Sequence, residues 1–422
     1  MSDVPTTNWA RNVTFSAPRR ERPADLPALQ HLVATAPRLR VLGTGHSFTA
    51  IADTEGVLVS LAGLPRTVSI DRSDGTVEIT GQWTYAELAR ELEAAGLALS
   101  NTGSLPHISI AGACATGTHG SGVSNQALGA AVGSVTLLTA SGDLVTVDRS
   151  DPSFPGVVLS LGRLGIVLAM TLDVVPSYQV AQTVVEEVPD DQVEAGLEAI
   201  LRAAYSVSVF TTWGPQSTSQ VWLKELTDGD PSPERWLGRD ADGPRHPLAG
   251  MPTEGATHQL GVPGPWHERL PHFRHDFTPS AGDELQSEYL LPLDRASEAW
   301  RAVDAIRDVV HPLLLVSELR AVAPDPMWLS LTGGLPSVAF HFTWKSHPPV
   351  TEAVTAIEEQ LSPYDARPHW GKVFSTPHER LERLYPRLPE FRALVDALDP
   401  DGRFGNALVD GWLGLAPSSL RR

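Results

Sequence analysis

The sequence predicts an α+β protein in two parts. Three observations carry this reading. Up to about residue 177, short apolar runs alternate with helical patterns. From about Tyr178 strand patterns dominate, which suggests a mostly antiparallel sheet with helices on one face. With 422 residues, 42% of them apolar, the chain can bury a sizeable core. The net charge of −18 is spread along the chain and disfavours nucleic acid and anionic membranes. One cysteine, Cys114, rules out an internal disulfide. The opening "MSDVPTTNWA" has no apolar export signal, and no run of 18 apolar residues occurs. A cytoplasmic monomer is expected.

In the first part, "PADLPALQHLVATA" reads as a helix capped by Asp25, with Pro27 in its first turn. Strands "LRVLG" and "GVLVSLAGL" follow. "SIDRSDGTVEITGQ" reads as a hairpin turning at Asp74-Gly75. "TYAELARELEAAG" is a helix: Thr84 and Glu87 form a capping box, Leu88 and Leu92 share a face, and Gly96 stops it. "SVTLLTASGDLVTVDRS" is a second hairpin, and "GIVLAMTLDVVPSY" a long strand. In the second part, "VSVFTTW", "QVWLKEL", "LQSEYLLPL", "LLLVSELRAVA" and "SVAFHFTW" read as strands. "DRASEAWRAVDAIRDVV" and "VTEAVTAIEEQL" read as helices, and about 227–282 as a Gly/Pro/His-rich connection. The segments expected are 1–177, 178–367, and a tail 368–422 that returns to the first.

Gly43-Thr44-Gly45-His46-Ser47-Phe48 begins like the dinucleotide fingerprint G-x-G-x-x-G, but Phe48 replaces the third glycine. The next regular element is a strand with no acid at its end, so a nicotinamide crevice is rejected. What remains is a turn whose backbone N–H groups can form an anion-binding nest. A second run, Ser109–Gly122, holds four glycines, three alanines, two serines and two threonines in fourteen residues. It can lie flat against a large ligand, and two such loops suggest a cofactor with a pyrophosphate.

Together, "RVLGTGHSF", "SLPHISIAGACATGTHGSGV", "SLGRLGIV", "SELR", "FHFTW", "RPHWGKVF" and "GRFGNALV" resemble the vanillyl-alcohol-oxidase superfamily of flavoproteins. Within it the pattern is similar to alditol oxidases, of the xylitol or sorbitol type, near the sugar-lactone oxidoreductases. The resemblance spans residues 40 to 408. It implies FAD held in a two-subdomain domain over 1–177 and an α+β substrate domain over 178–367. Val41, Leu42, Gly43, Thr44, Gly45, His46 and Ser47 would be the pyrophosphate loop, with His46 bonded covalently to the flavin 8α-methyl group. Ser104, Ser109, Gly112, Thr116, Gly117, Thr118, His119 and Val167 match flavin-contacting positions. The implied reaction oxidises a polyol at a terminal hydroxyl to the aldose, with hydride passing to flavin N5 and O2 reduced to H2O2. Gly103, before Ser104, is permissive for oxygen and favours an oxidase.

Side chains two apart on a strand share a face. Glu318 pairs in this way with Arg320, and His341 with Thr343, while Phe340, Phe342 and Trp344 point the other way. Glu284, Gln286 and Glu288 also line up. Such a stripe could face a polyol, and "PHWGKVF" adds Lys372. Arg320 and Lys372 would stabilise the anion left by hydride transfer. His341 or Lys372 would be the base, and Glu318 would orient Arg320 and accept a substrate hydroxyl. Substrate contacts are thus expected from Ser104, Glu318, Arg320, Thr343 and Lys372. His258, His267, His272 and His275 fit no zinc spacing, so no metal is expected, and they read as surface or lid histidines. Cys114 reads as a small packing residue, and no G-x-S-x-G motif occurs. The alternatives are an aldonolactone dehydrogenase with a non-oxygen acceptor, an NADPH-dependent flavin reductase of the same fold, and a sugar-binding protein.

Overall fold

A computed structural model describes residues 4–215, 217–229, 238–277, 284–346 and 350–416. Parts of the connection at 227–282 and the outer ends of the first and last segments lie outside these.

The first part holds three small sheets, the least of them the antiparallel pair Leu97–Ala98 with Val175–Pro176. Of the other two, one has three parallel strands in the order Arg19–Glu21, Val57–Val59, Leu39–Val41. The other has five antiparallel strands in the order Val68–Asp71, Thr76–Thr80, Ile166–Asp173, Val132–Leu138, Leu144–Asp148. The helix Tyr85–Ala94 carries the Thr84–Glu87 capping box and buries Leu88, Ala89 and Leu92. Gly96, just past its end, sits at φ +70°, a conformation open to glycine at little cost. The run "GVLVSLAGL" keeps only three residues in the sheet; Ser60 then caps a short 3₁₀ turn, Leu61–Gly63. The glycine-rich run is also less flat than expected. Its alanines support a six-residue helix, Ile110–Ala115, that buries Ile110, Ala113 and Cys114.

The second part is built on a large sheet whose central order is Gln179–Pro189, Thr218–Leu226, Ser206–Thr211, Leu314–Val322, Ser337–Lys345, Glu284–Pro292. Each of these neighbours pairs antiparallel. One face packs Val207, Val209, Leu319, Phe340, Phe342 and Trp344 against the helices Asp190–Leu201, Ala296–Asp304 and Val350–Leu361. On the other face, register puts Phe210, Glu318, His341 and Glu288 in one row across four strands.

Sequence reasoning names no element between Tyr178 and Ser206. The structure places the eleven-residue strand Gln179–Pro189 and the helix Asp190–Leu201 there. A bulge between Val185 and Val188, with Glu187 at φ +60°, breaks the strand's alternation. The helix is legible in principle, since Val193, Leu197, Ile200 and Leu201 follow helical spacing. The single helix read at 294–310 is two, Ala296–Asp304 and Arg307–Val310. The Arg307 side chain takes the Asp304 carbonyl, which competes with continuation of the helix.

The last segment packs on the first part. Leu381, Leu384, Phe391, Val395 and Val409 share its core with Leu88 and Val135. Two buried arginines add polar pins. Arg163, with no exposed surface, pairs with Asp399 and with Asp410 at 2.8 Å. Arg40 donates to the carbonyls of Ile51, Leu161, Gly162 and Phe404. Removing one partner from such a buried network costs about 3–5 kcal/mol, because the remaining charges lose their compensation. Arg163→Ala is therefore expected to lower folding stability by about that amount. Chemical denaturation would show it as a fall in the unfolding midpoint.

Candidate active site

The two glycine loops meet at Ser109. Its N–H donates to Thr44 Oγ1 at 3.1 Å. A Cβ added to Gly43 would lie 2.3 Å from Ser109 Oγ, and one added to Gly112 2.7 Å from it. A side chain at Gly43 would thus press on the second loop at Ser109, and one at Gly112 would crowd the same hydroxyl from within its own run. Gly45 lies at φ +69°. Beside it, Trp9 stacks on His46 with ring centroids 5.3 Å apart. The N-terminal segment holds this loop in place: Trp9 N–H donates to Gly45 O, Asn8 Nδ2 to Ser47 O, and Asn12 Nδ2 to Phe48 O.

One cavity of about 880 Å³ runs from this loop to the polar row of the large sheet. Val41 through Ser47 line one end, followed by Ser104, Ser109, Gly112, Thr116, Thr118 and His119. Glu318, Arg320, His341, Thr343 and Lys372 line the other end. Gly117 and Val167 lie off the cavity wall. A side chain at Gly117 would meet Leu331 and Leu159, and Val167 sits in a strand, paired with Leu137 and pressed on Gly81. Among the described residues, no group of three or more His, Cys, Asp or Glu could hold a metal ion.

The centre of the sheet end is Glu288. It is 1% exposed, and sequence reasoning aligned it with Gln286 without assigning it a role. Arg320 Nη2 donates to Oε1 at 2.5 Å, and Lys372 Nζ donates to Oε2 at 2.7 Å. His119 Nε2 lies 3.5 Å from Oε1, reaching in from the glycine-rich run. Burial alone would raise the Glu288 carboxyl; Lys372 and Arg320 outweigh it and hold the group well below its ordinary range. Lys372 arrives on the segment after Pro368. There His369 N–H donates to Glu288 O, and Val373 N–H to Gln286 O.

His341 sits beside this pair. Its Nδ1 lies 2.5 Å from Lys372 Nζ, and its Nε2 3.0 Å from Thr343 Oγ1. Burial, then the charge of Lys372, pushes His341 down to about 4. The ring is thus neutral at pH 7: Nδ1 accepts from the ammonium, and Nε2–H donates to Thr343. Burial also lowers Lys372, against the opposing pull of Glu288. Arg320 Nη1 donates to Ser104 Oγ at 3.3 Å.

His272 corrects the surface or lid placement read from sequence. It is 5% exposed, and its Nε2 lies 2.7 Å from Glu318 Oε1. Its spacing in the sequence gave no hint, because the partner lies 46 residues away on another element. At the far end, His46 carries the signature of a missing partner. Its Nδ1 is buried and has no hydrogen bond, and burial followed by the charge of His107 lowers the ring to about 4. A neutral imidazole with an unpartnered ring nitrogen, in a wall of glycines and hydroxyls, fits a large bound cofactor.

Comparison with known proteins agrees with this geometry. Residues 21–148 match the family described as FAD binding domain, and residues 283–412 the family described as D-arabinono-1,4-lactone oxidase. An alditol oxidase of Streptomyces sp. (strain IKD472 / FERM P-14339) is 49% identical over 96% of this chain and 99% of its own. An L-gulono-1,4-lactone dehydrogenase of Mycobacterium tuberculosis (strain ATCC 25618 / H37Rv) is 28% identical over 97% of this chain and 99% of its own. In fold, cholesterol oxidase from B. sterolicum superposes with a TM-score of 0.75 at 16% identity, covering 96% of each chain. The two-subdomain cofactor domain is thus that of the vanillyl-alcohol-oxidase type, and the chain belongs to the alditol oxidase family of FAD-dependent oxidoreductases.

Proposed function

We propose that the protein oxidises a linear polyol such as xylitol or sorbitol at a terminal hydroxyl, with O2 as acceptor. The observation that carries this reading is the sheet end of the cavity. Its opposed formal charges, Arg320 and Lys372 against Glu288 and Glu318, alternate with the neutral donors and acceptors of Ser104, His341 and Thr343. Such a wall suits a neutral chain bearing several hydroxyls. When bound between the two loops and the sheet, FAD would supply the acceptor for the hydride equivalent of the alcohol and the means of passing two electrons to O2.

The chain's residues do the rest. Arg320 and Lys372 stabilise negative charge developing on the substrate oxygen, in a site sheltered from water. The Lys372–His341 pair takes the hydroxyl proton: a proton leaving Lys372 toward His341 Nδ1 frees an amine lone pair for the substrate. Glu318 accepts a second hydroxyl, and Thr343, held by His341, adds another contact. His46 is the residue for covalent attachment, supported by its neutral ring and unpartnered Nδ1. Val41 through Ser47, with Ser109, Gly112, Thr116 and Thr118, form the bed for the rest of the cofactor. An oxidase is favoured over a dehydrogenase at Gly103. A Cβ there meets nothing closer than 3.8 Å and no positive φ requires glycine, so neither packing nor the turn accounts for it. Cys114 is a buried thiol pushed up to about 12 and takes no part in the chemistry, and a cytoplasmic monomer completes the reading.

Three outcomes are expected. Peroxide forms with xylitol or sorbitol; dye reduction with an aldonolactone and no peroxide from polyols would favour the lactone dehydrogenase instead. Under ultraviolet light, a denaturing gel shows fluorescence on the native chain and none on His46→Ala. Arg320→Ala and Lys372→Ala each lose about 100- to 1,000-fold in kcat, and wild-type turnover would remove them from the mechanism. The pH profile adds a check on the proton path. Acid that protonates His341 Nδ1 sets two donors face to face, so kcat/KM falls toward low pH. That limb lies near pH 4, where His341 titrates, rather than near 6.5.

A further inference from the structure

Behind Glu318 runs a second line of buried polar groups that the reaction above leaves unused. Lys224, on the strand Thr218–Leu226, is 1% exposed and donates to Leu270 O. Its Nζ also lies 3.1 Å from His272 Nδ1. On its other side, His272 Nε2 lies 2.7 Å from Glu318 Oε1 and 3.4 Å from Ser208 Oγ. Arg320 Nε stands 3.6 Å from the same carboxylate oxygen.

The chemistry of these groups fixes each proton. Burial raises the Glu318 carboxyl, but Arg320 and then His272 outweigh it, so the group is ionised and can only accept. The contact at 2.7 Å therefore requires a proton on His272 Nε2. The ring itself is neutral, because burial and then Lys224 lower it to about 4; burial brings Lys224 down to about 7, and its nitrogen carries an N–H to donate in either form. Nδ1 is then bare and accepts from Lys224. The ring has little freedom to depart from this arrangement. Phe210 and Trp222 present edges to it at centroid distances of 5.5 and 5.4 Å. Its backbone is pinned at both ends, N–H to Ser104 O and carbonyl from Thr257 N–H. Glu318 Oε2, by contrast, makes no hydrogen bond among the described residues, and Glu318 lines the cavity.

We infer that His272, held in its Nε2–H form by Lys224, is a positioning residue that keeps Glu318 ionised and oriented with one oxygen free for a substrate hydroxyl, and so sets the affinity for polyols. The inference rests on the polyol reading above. It predicts an effect on KM more than on kcat, since on that reading Glu318 holds a second hydroxyl and not the one that is oxidised.

Steady-state kinetics with xylitol on the flavin-loaded enzyme test this. His272→Leu removes the donor and is expected to raise KM about 10- to 100-fold, with a smaller change in kcat. His272→Gln retains an N–H donor and is expected to stay within a few-fold of wild type. It also serves where the leucine variant folds poorly. In a Glu318→Gln background, His272→Leu should add little, because the group it orients is already altered. An unchanged KM in His272→Leu, equal penalties in the glutamine and leucine variants, or a full penalty persisting in Glu318→Gln would overturn the positioning role. A wild-type enzyme inert to polyols but active on a lactone would overturn the polyol reading and this inference with it. Wild-type turnover with a failed His272 series would overturn the inference alone.

Discussion

Burial of one carboxylate, Glu288, constrains the rest of the structure. A charge with so little exposure survives only if opposite charges and donors surround it. No single element supplies them. Arg320 comes from a strand two places away in the sheet, Lys372 from the segment that follows Pro368, and His119 from the glycine-rich run of the first part. Satisfying this one group brings three distant stretches of chain to a point. Backbone bonds reinforce it: Gly122 N–H donates to Ala321 O, and Phe48 N–H to Gly371 O. The glycine-rich run is thereby fixed against the sheet and the first glycine loop against the segment after Pro368, and the cavity runs between the loops and the sheet.

The same carboxylate marks where sequence reading reaches its end. Strand parity places Glu318 with Arg320, His341 with Thr343, and Glu288 with Gln286, because a period of two is a local property. Parity carries no information about which strands are neighbours. The row Glu318–His341–Glu288 exists only because Leu314–Val322, Ser337–Lys345 and Glu284–Pro292 pair in one register. His272 was illegible for a stronger reason. It lies in a connection without periodicity, and its burial depends on Phe210, Trp222 and Lys224 on strands read separately. The strand Gln179–Pro189 shows a third kind of loss, where a bulge hides a pattern that is otherwise present. Helix ends were clearest where the cap is local, as at Thr84–Glu87.

The large sheet divides its labour by face. One side buries aromatic and branched residues under three helices and supplies packing energy. The other side can then carry buried charges, because they compensate one another in pairs and the packing energy comes from the opposite face. At its end nearest the first part, Leu290, Val322 and Ala339 join that part's core, which fixes the sheet's angle without filling the cavity. The polar row is thus held rigidly by apolar contacts on both flanks, the condition under which fixed charges stabilise a developing charge without reorganising.

The balance of charge within the row bears on what it can bind. The whole chain is strongly acidic, yet the cavity's sheet end offsets Glu288 and Glu318 with Arg320 and Lys372. A site with unopposed cations would draw carboxylates and phosphates, and one with unopposed carboxylates would draw amines. Here each charge already has a partner, so a charged ligand would have to displace one of these buried pairs. A neutral polyhydroxylated chain needs no such exchange. It can donate to a carboxylate oxygen left free, and accept from donors that retain spare protons. The protein's negative surface neither attracts nor repels such a ligand, which leaves recognition to hydrogen-bond geometry inside the cavity.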